Sequence, residues 1–315
     1  MKWHRVGPKD GLIFDPREYG LNFAKSPQVV VHDTYLRIYF SFCEIDERQK
    51  YISKVAFIDI DKTFSKILNL STSVLENGEL GCFDEHGIFP FSPFQYEGKI
   101  YGYTSGWSRR VSVSTDTGIG LTISNDGGKT FKRVGNGPVL TSSLEEPFLV
   151  IDGFVRFFNG LFHMWYIYGT QWIQFPGQNE PDRIYKIGHA VSNNGLDWER
   201  EGRQIISEKI PLECQALPSV VFYKNRYHMF FCYRHATDFR KNREKSYRIG
   251  YAYSDDLVNW TRADEIAGIR LPETGWDSGM QCYPNVFEME GTLYMLYNGN
   301  NFGESGFGIL KLVED

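Results

Sequence analysis

The segment SNDGGKTF (residues 124–131) recurs in outline as SNNGLDW (192–198) and SDDLVNW (254–260). Each copy opens on Ser, runs through Asp, Asn or Gly, and closes on an aromatic. Asp, Asn and Gly tolerate the backbone angles of tight turns. A relaxed form of the pattern includes IDIDKTF, ending at Phe64, and KWHRVG, which carries Trp3. The marker aromatics Trp3, Phe64, Phe131, Trp198 and Trp260 are separated by 61, 67, 67 and 62 residues, and 55 follow Trp260. Such a period confines the chain to a series of near-equal units, each burying apolar surface against its neighbours.

The interior of each unit is a hairpin. PSVVFY (218–223) turns through KNR into YHMFFCY (227–233), and the same pair is written GFVRFF–NG–LFHMWYIY, PNVFEM–EG–TLYMLY, FSPFQY–EG–KIYGYT and SPQVVV–HDT–YLRIYF. β-Branched and aromatic runs broken by Gly or Asn predict paired strands. A third strand precedes each marker turn, as in GIGLTIS, KIGHAVS and RIGYAYS. The last copy ends on its third strand, GFGILKLV, while the N-terminal WHRVG matches WEREG (198–202) and WTRAD (260–264). The expected fold is therefore all-β. It is a five-bladed β-propeller of four-stranded blades, one domain over 1–315, closed by the N-terminal strand pairing with the last blade so that no edge is left open. The marker turns then join third strands to fourth and serve the architecture.

Composition excludes several classes of function. Aromatics reach 16% of the chain, with 24 Phe and 19 Tyr, which favours strands and sugar-binding surfaces. A net charge of −5 carries no polybasic footprint, so neither nucleic acid nor an anionic membrane is an expected partner. No apolar run spans a bilayer, and the N-terminus MKWHRVGPKDGLIFDP has no apolar signal core, so a cytoplasmic location is expected. Cys43, Cys82, Cys214, Cys232 and Cys282 form no CxxC pair and read as reduced core residues. No metal, cofactor or phosphate-loop motif occurs, and none is assigned.

In a propeller, the loop leading into each innermost strand and the loop leaving each second strand meet at one end. The leading loops CFDEHGIFP (82–90), LEEPFLVIDG (144–153), LECQALP (212–218) and GWDSGMQCYP (275–284) hold acids, whereas SGWSRR (105–110), GTQWIQ (169–174), YRHATDFR (233–240) and YNGNNFGE (297–304) hold Trp, Arg and Asn. Acids offer hydrogen bonds to sugar hydroxyls and rings cover sugar faces, so the expected ligand is a carbohydrate. Asp152, Glu213 and Asp84 are candidates among these acids. Trp107, Arg109, Trp172, Arg234, His235, Trp276, Asp277 and Asn298 are the expected binding residues, and Glu146 and Asp15 are further candidates. Cleaving a glycoside asks for one protonated and one ionised carboxyl across the bond.

These features resemble the five-bladed propeller glycoside hydrolases: the arabinanase and xylosidase family 43, the invertase and levansucrase families, and the related mannoside phosphorylases. SNDGGKTF is also similar to the Asp box of sialidases, a stabilising turn. Aligned on the hairpins, Asp152 takes the place of the family's third-blade Asp, and Glu213-Cys214 resembles the invertase Glu-Cys-Pro general acid. Ser26 stands where the first-blade Asp is expected, with Asp15-Pro16 upstream and Asp84 available from the second blade. The resemblance implies a glycoside hydrolase with Asp152, Glu213 and Asp84 as its catalytic carboxylates. The alternatives are a non-catalytic sugar-binding propeller and a phosphorylase or activated-sugar enzyme, for which Arg183, Arg234, His235 and Arg240 would gather around an anion. Oligomeric state is left open.

Overall fold

A computed structural model describes residues 1–313. β1 (Lys2–Arg5) and β2 (Leu12–Phe14) come first, followed by the meander β3 (Asn22–Val31), β4 (Tyr35–Ile45), β5 (Tyr51–Asp61) and β6 (Ile67–Ser71). The second meander is β7 (Gly87–Tyr96), β8 (Lys99–Arg109), β9 (Thr115–Ser124) and β10 (Lys132–Arg133), with β11 (Leu140–Thr141) also paired to β9. The third is β12 (Val150–Phe158), β13 (Leu161–Ile173), β14 (Asp182–Ser192) and β15 (Glu199–Arg200). Then come β16 (Cys214–Tyr223), β17 (Arg226–Arg234), β18 (Arg248–Ser254) and β19 (Thr261–Arg262). The last is β20 (Cys282–Met289), β21 (Thr292–Asn298) and β22 (Phe307–Val313). A single parallel pairing, Ser53 with Gly87, fuses the first two meanders into one nine-stranded sheet.

β1 lies antiparallel to β22, pairing Trp3 with Leu312 and Arg5 with Leu310, so the last sheet takes its outer strand from the start of the chain. The apolar faces pack in sequence. Val30, Tyr39 and Phe57 meet Ile88 and Phe91; Tyr103 and Ile119 meet Val155 and Met164; Trp165 and Ile187 meet Val220 and Met229. Phe230 and Tyr251 meet Val286 and Met295, and Phe287, Leu296 and Phe307 return to Ile38, Phe40 and Ile58. The alternation of the hairpin segments gives each sheet two apolar faces, one for each neighbour.

The marker turns are equivalent in geometry. Ser124, Ser192 and Ser254 each accept from a backbone N–H three or four residues on, at 2.8–2.9 Å. Two residues after each Ser, Asp126, Asn194 and Asp256 accept from two successive backbone N–H groups, at 2.7–3.0 Å.

The innermost strands begin two to four residues further upstream than the hairpin pattern predicts, because each crosses a bulge. Pairing slips between Lys25 and Gln28, Ile88 and Phe91, Ile151 and Phe154, Ala216 and Ser219, and Cys282 and Asn285. Four of these bulges hold a residue at positive φ: Ser26, Asp152, Leu217 and Tyr283. A bulge re-aims one side chain out of the alternating pattern, which is why bulges gather at functional sites.

Candidate active site

Four of the acids in the leading loops share one arrangement. Asp84 pairs with Arg133, Glu146 with Arg200 at 2.6 Å, Glu213 with Arg262 at 2.6 Å, and Asp277 with Arg5 at 2.7 Å. Each Arg sits on the outermost strand of the same meander as its acid, two residues past a marker aromatic: Phe131, Trp198, Trp260 and Trp3. The carboxylates are almost wholly buried and hold further donors. Glu146 accepts from Tyr166 at 2.7 Å, Glu213 from Gln215 at 2.8 Å, and Asp277 from Tyr297 at 2.9 Å. Burial pushes the Asp84 carboxyl up, while Arg133 opposes the shift. These pairs clamp loop to strand. The first meander has Lys66 two residues past Phe64 and forms no such pair among the described residues.

A cavity of about 390 Å³ lies elsewhere. Among the described residues its one lining carboxylate is Asp152, at the third bulge and 6% exposed. Asp152 donates its backbone N–H to Ser105 Oγ at 3.0 Å, and its Oδ2 accepts the backbone N–H of Leu217 at 3.2 Å. Desolvation pushes the carboxyl up to about 7, against the opposing pull of the Leu217 N–H and the Arg183 guanidinium.

The remaining charge in the cavity is cationic: Lys25, Arg183, Arg234 and Arg240. None of the four has a carboxylate oxygen within 4.0 Å among the described residues. Arg234, 3% exposed at the end of β17, donates Nε to Tyr185 Oη at 3.1 Å and Tyr247 Oη at 3.2 Å, and Nη1 to the His235 carbonyl at 2.8 Å. The Phe239 ring lies 3.6 Å from its guanidinium carbon. Its Nη2 makes no hydrogen bond among the described residues, so a built guanidinium keeps one arm free. Arg183 is tethered by Ser114 at 3.0 Å. Trp107, Phe89, Tyr283 and Phe302 supply rings to the lining.

Of the residues expected from sequence, the cavity gathers Asp152, Trp107 and Arg234, with Arg183 and Arg240 from the anion-binding alternative. Glu213 and Asp84 do not join them. Each is consumed by its buried ion pair, so the expected Asp152–Glu213 pocket does not form. Asp277 and Glu146 are likewise bound to arginines. Arg109 leaves the lining to pair with Asp46 at 2.7 Å. Trp172 sits 5.8 Å from the Arg183 guanidinium, outside the lining. His235 contributes its carbonyl to Arg234 but does not line the cavity. Trp276 covers the Tyr297 ring, with centroids 5.1 Å apart. Asn298 staples the last meander to the first, accepting from the Ser26 N–H at 2.7 Å and donating to the Ala24 carbonyl at 2.6 Å. Asp15 caps a short turn and pairs with Arg17 at 2.7 Å. Lys25, Tyr185, Tyr247 and Phe239 were missed. Lys25 is the neighbour of Ser26, the aligned first-unit position, and that adjacency was the available signal. No group of His, Cys, Asp and Glu among the described residues is arranged to hold a metal ion.

No protein-family model matches the chain. It is 29% identical over 320 residues to an uncharacterised protein of Mycobacterium tuberculosis (strain H37Rv), covering 99% of both chains. A β-1,2-mannobiose phosphorylase of Thermoanaerobacter sp. (strain X514) is 28% identical over 137 residues, covering 41% of this chain and 43% of that one. A 1,2-β-oligomannan phosphorylase of the same organism is 29% identical over 154 residues, 47% and 48% of the two chains. Among solved structures, a thermostable family-43 glycoside hydrolase superposes with a TM-score of 0.68 at 16% identity, covering 94% of this chain and 91% of that one. An endo-arabinase of Bacteroides thetaiotaomicron gives 0.62 at 15%, covering 93% and 95%. The fold is that of the glycoside hydrolase-like propellers.

Proposed function

We propose that the five meanders are the blades of a closed five-bladed propeller, and that its cavity cleaves a glycosidic bond by phosphorolysis. The cyclic order of the five apolar clusters and the pairing of β1 with β22 support the ring. The observation that carries the chemistry is the charge of the cavity: one carboxyl near pKa 7 among four cations that lack carboxylate partners.

Hydrolysis needs a second carboxyl to activate water or attack the sugar. The cavity lining holds none, since Glu213 and Asp84 are tied to arginines. Phosphate needs no such partner, because a phosphate oxygen is itself anionic and nucleophilic. Arg183, Arg234 and Arg240 hold it, the free arm of Arg234 foremost. Asp152, whose raised pKa of about 7 keeps a large share of it protonated at neutral pH, gives its proton to the leaving glycosidic oxygen. The C–O bond breaks as a phosphate oxygen bonds to the anomeric carbon, leaving a sugar 1-phosphate, a free hydroxyl and the Asp152 carboxylate. A proton from solvent then restores the acid. The resemblance to the mannoside phosphorylases makes β-1,2-linked mannosides the first substrates to test.

The expected result is sugar 1-phosphate release that depends on orthophosphate and falls by about 10²–10⁴-fold in Asp152→Asn. Equal release of free sugar in phosphate-free buffer would establish hydrolysis instead. Sugar binding without turnover of any glycoside would establish a binding propeller.

A further inference from the structure

Phosphate accounts for only part of the cavity's charge. Lys25 lies on β3, whereas Arg183 and Arg234 belong to β14 and β17 and Arg240 to the loop after β17. The surroundings of the two groups do not overlap. The Lys25 ammonium sits 4.4 Å from the Phe23 ring, 5.6 Å from the Phe89 ring and 3.4 Å from Cys43 Sγ. Arg234 is held by Tyr185, Tyr247 and Phe239.

A half-buried ammonium whose only hydrogen-bond partner among the described residues is a thiol sulfur is poorly compensated. Cation–π contact with two rings returns part of what desolvation costs, but does not replace a counterion. A phosphate dianion cancels at most two of the four positive charges, and Asp152 in its protonated, reactive state cancels none. A neutral sugar closing the cavity would seal Lys25 away from water with no anion beside it.

Resting on the phosphorolytic reading, we propose that the sugar substrate itself carries an anionic group, a carboxylate or a phosphate ester, which Lys25 receives. Lys25 is then the specificity residue, standing beside the bulge at Ser26 where the resembling hydrolases place a carboxylate. With Ser26 in that carboxylate's place and the Lys25 ammonium beside it, the corner favours a ligand of negative charge.

The test is calorimetric titration of the full chain with D-mannose, D-mannuronate and D-mannose 6-phosphate, at saturating orthophosphate so that the arginine site is filled. Orthophosphate is titrated alone in parallel. Wild type should bind one or both anionic sugars at least tenfold more tightly than mannose. Mannuronate against mannose 6-phosphate tells a sugar acid from a sugar phosphate. Lys25→Met should erase the preference and leave orthophosphate affinity unchanged, while Lys25→Arg should retain it. Raising the salt concentration should shrink the preference in wild type, a check that needs no variant to fold. Equal affinity for mannose and both anionic sugars, or a preference that survives in Lys25→Met, overturns the proposal. If orthophosphate fails to bind while the Lys25-dependent preference holds, phosphorolysis fails and the anionic substrate stands.

Discussion

At the scale of single residues, the cavity concentrates its chemistry in Asp152, and proton linkage makes that testable apart from activity. Its folded pKa of about 7 lies above the usual carboxylate value of 3.8. The folded state therefore holds a proton that the unfolded chain releases between these values. Stability contributed by the neutral carboxyl is fully present below pH 3.8 and is lost as pH rises through 7, on the order of 4 kcal/mol in all. Asp152→Asn should thus be more stable than wild type at pH 8, with the difference vanishing near pH 4. Urea unfolding at both pH values measures it, and a pH-independent difference would refute the assigned shift. His163 works in the opposite direction. Buried beside His189 and held down to about 4 by desolvation, its neutral imidazole contributes stability that is present above pH 6.5 and lost as pH falls through 4, so over that window it offsets the gain that Asp152 gives on acidification. In the proposed phosphorolysis Asp152 is the acid, and its acid form declines as pH rises through 7, so kcat should fall on that limb.

At the scale of elements, the acids in the leading loops show what the sequence made legible and what it hid. The hairpins, third strands and marker turns were readable because alternation and turn chemistry are local. The direction of an acid beside a strand is not local. In the hairpin pattern Glu213 and Asp152 stand alike ahead of innermost strands, but Glu213 precedes β16 and turns to Arg262, while Asp152 lies within β12 at the bulge that aims it into the cavity. The deciding signal was written in the chain as aromatic-x-Arg, at Phe131-Lys132-Arg133, Trp198-Glu199-Arg200, Trp260-Thr261-Arg262 and Trp3-His4-Arg5. It emerges only when each Arg is counted against an acid in the same unit. Lys25 and Tyr185 stayed hidden because nothing in a strand's own alternation shows which of its faces meets a cavity. The clamps make a firm prediction. Arg262→Met should cost about 3–5 kcal/mol, since it strands the buried Glu213 charge, and Glu213→Gln should cost less, because Asp264 still pairs with Arg262 at 3.0 Å. The double variant should recover much of the loss, and where the fold survives, phosphorolysis should persist. Loss of turnover in a stably folded Glu213→Gln would return Glu213 to the catalytic machinery.

For the whole molecule, the question is whether the first and last strands need one another. β1 contributes four pairings to β22, from Lys2 with Val313 to Arg5 with Leu310. Trp3 lies edge-on to Phe230, with centroids 5.6 Å apart, and donates Nε1 to the Ala267 carbonyl at 2.9 Å. Arg5 is the partner of the fully buried Asp277. Removing residues 1–10 therefore uncovers an edge of β22, empties the Trp3 site and leaves Asp277 without its cation. The second and third losses each cost about 3–5 kcal/mol, which together consume most of a typical domain's stability of roughly 5–15 kcal/mol. The truncated chain should lose cooperative unfolding or melt far below the full one. Trp3→Ala and Arg5→Met separate the contributions, because each keeps the strand and removes one contact. A synthetic peptide of residues 1–10 should restore the truncated chain, with Asp277→Asn relieving only the part due to charge. A truncated protein that melts with the intact one would show that the last sheet stands without β1, and the ring closure proposed above would fall with it.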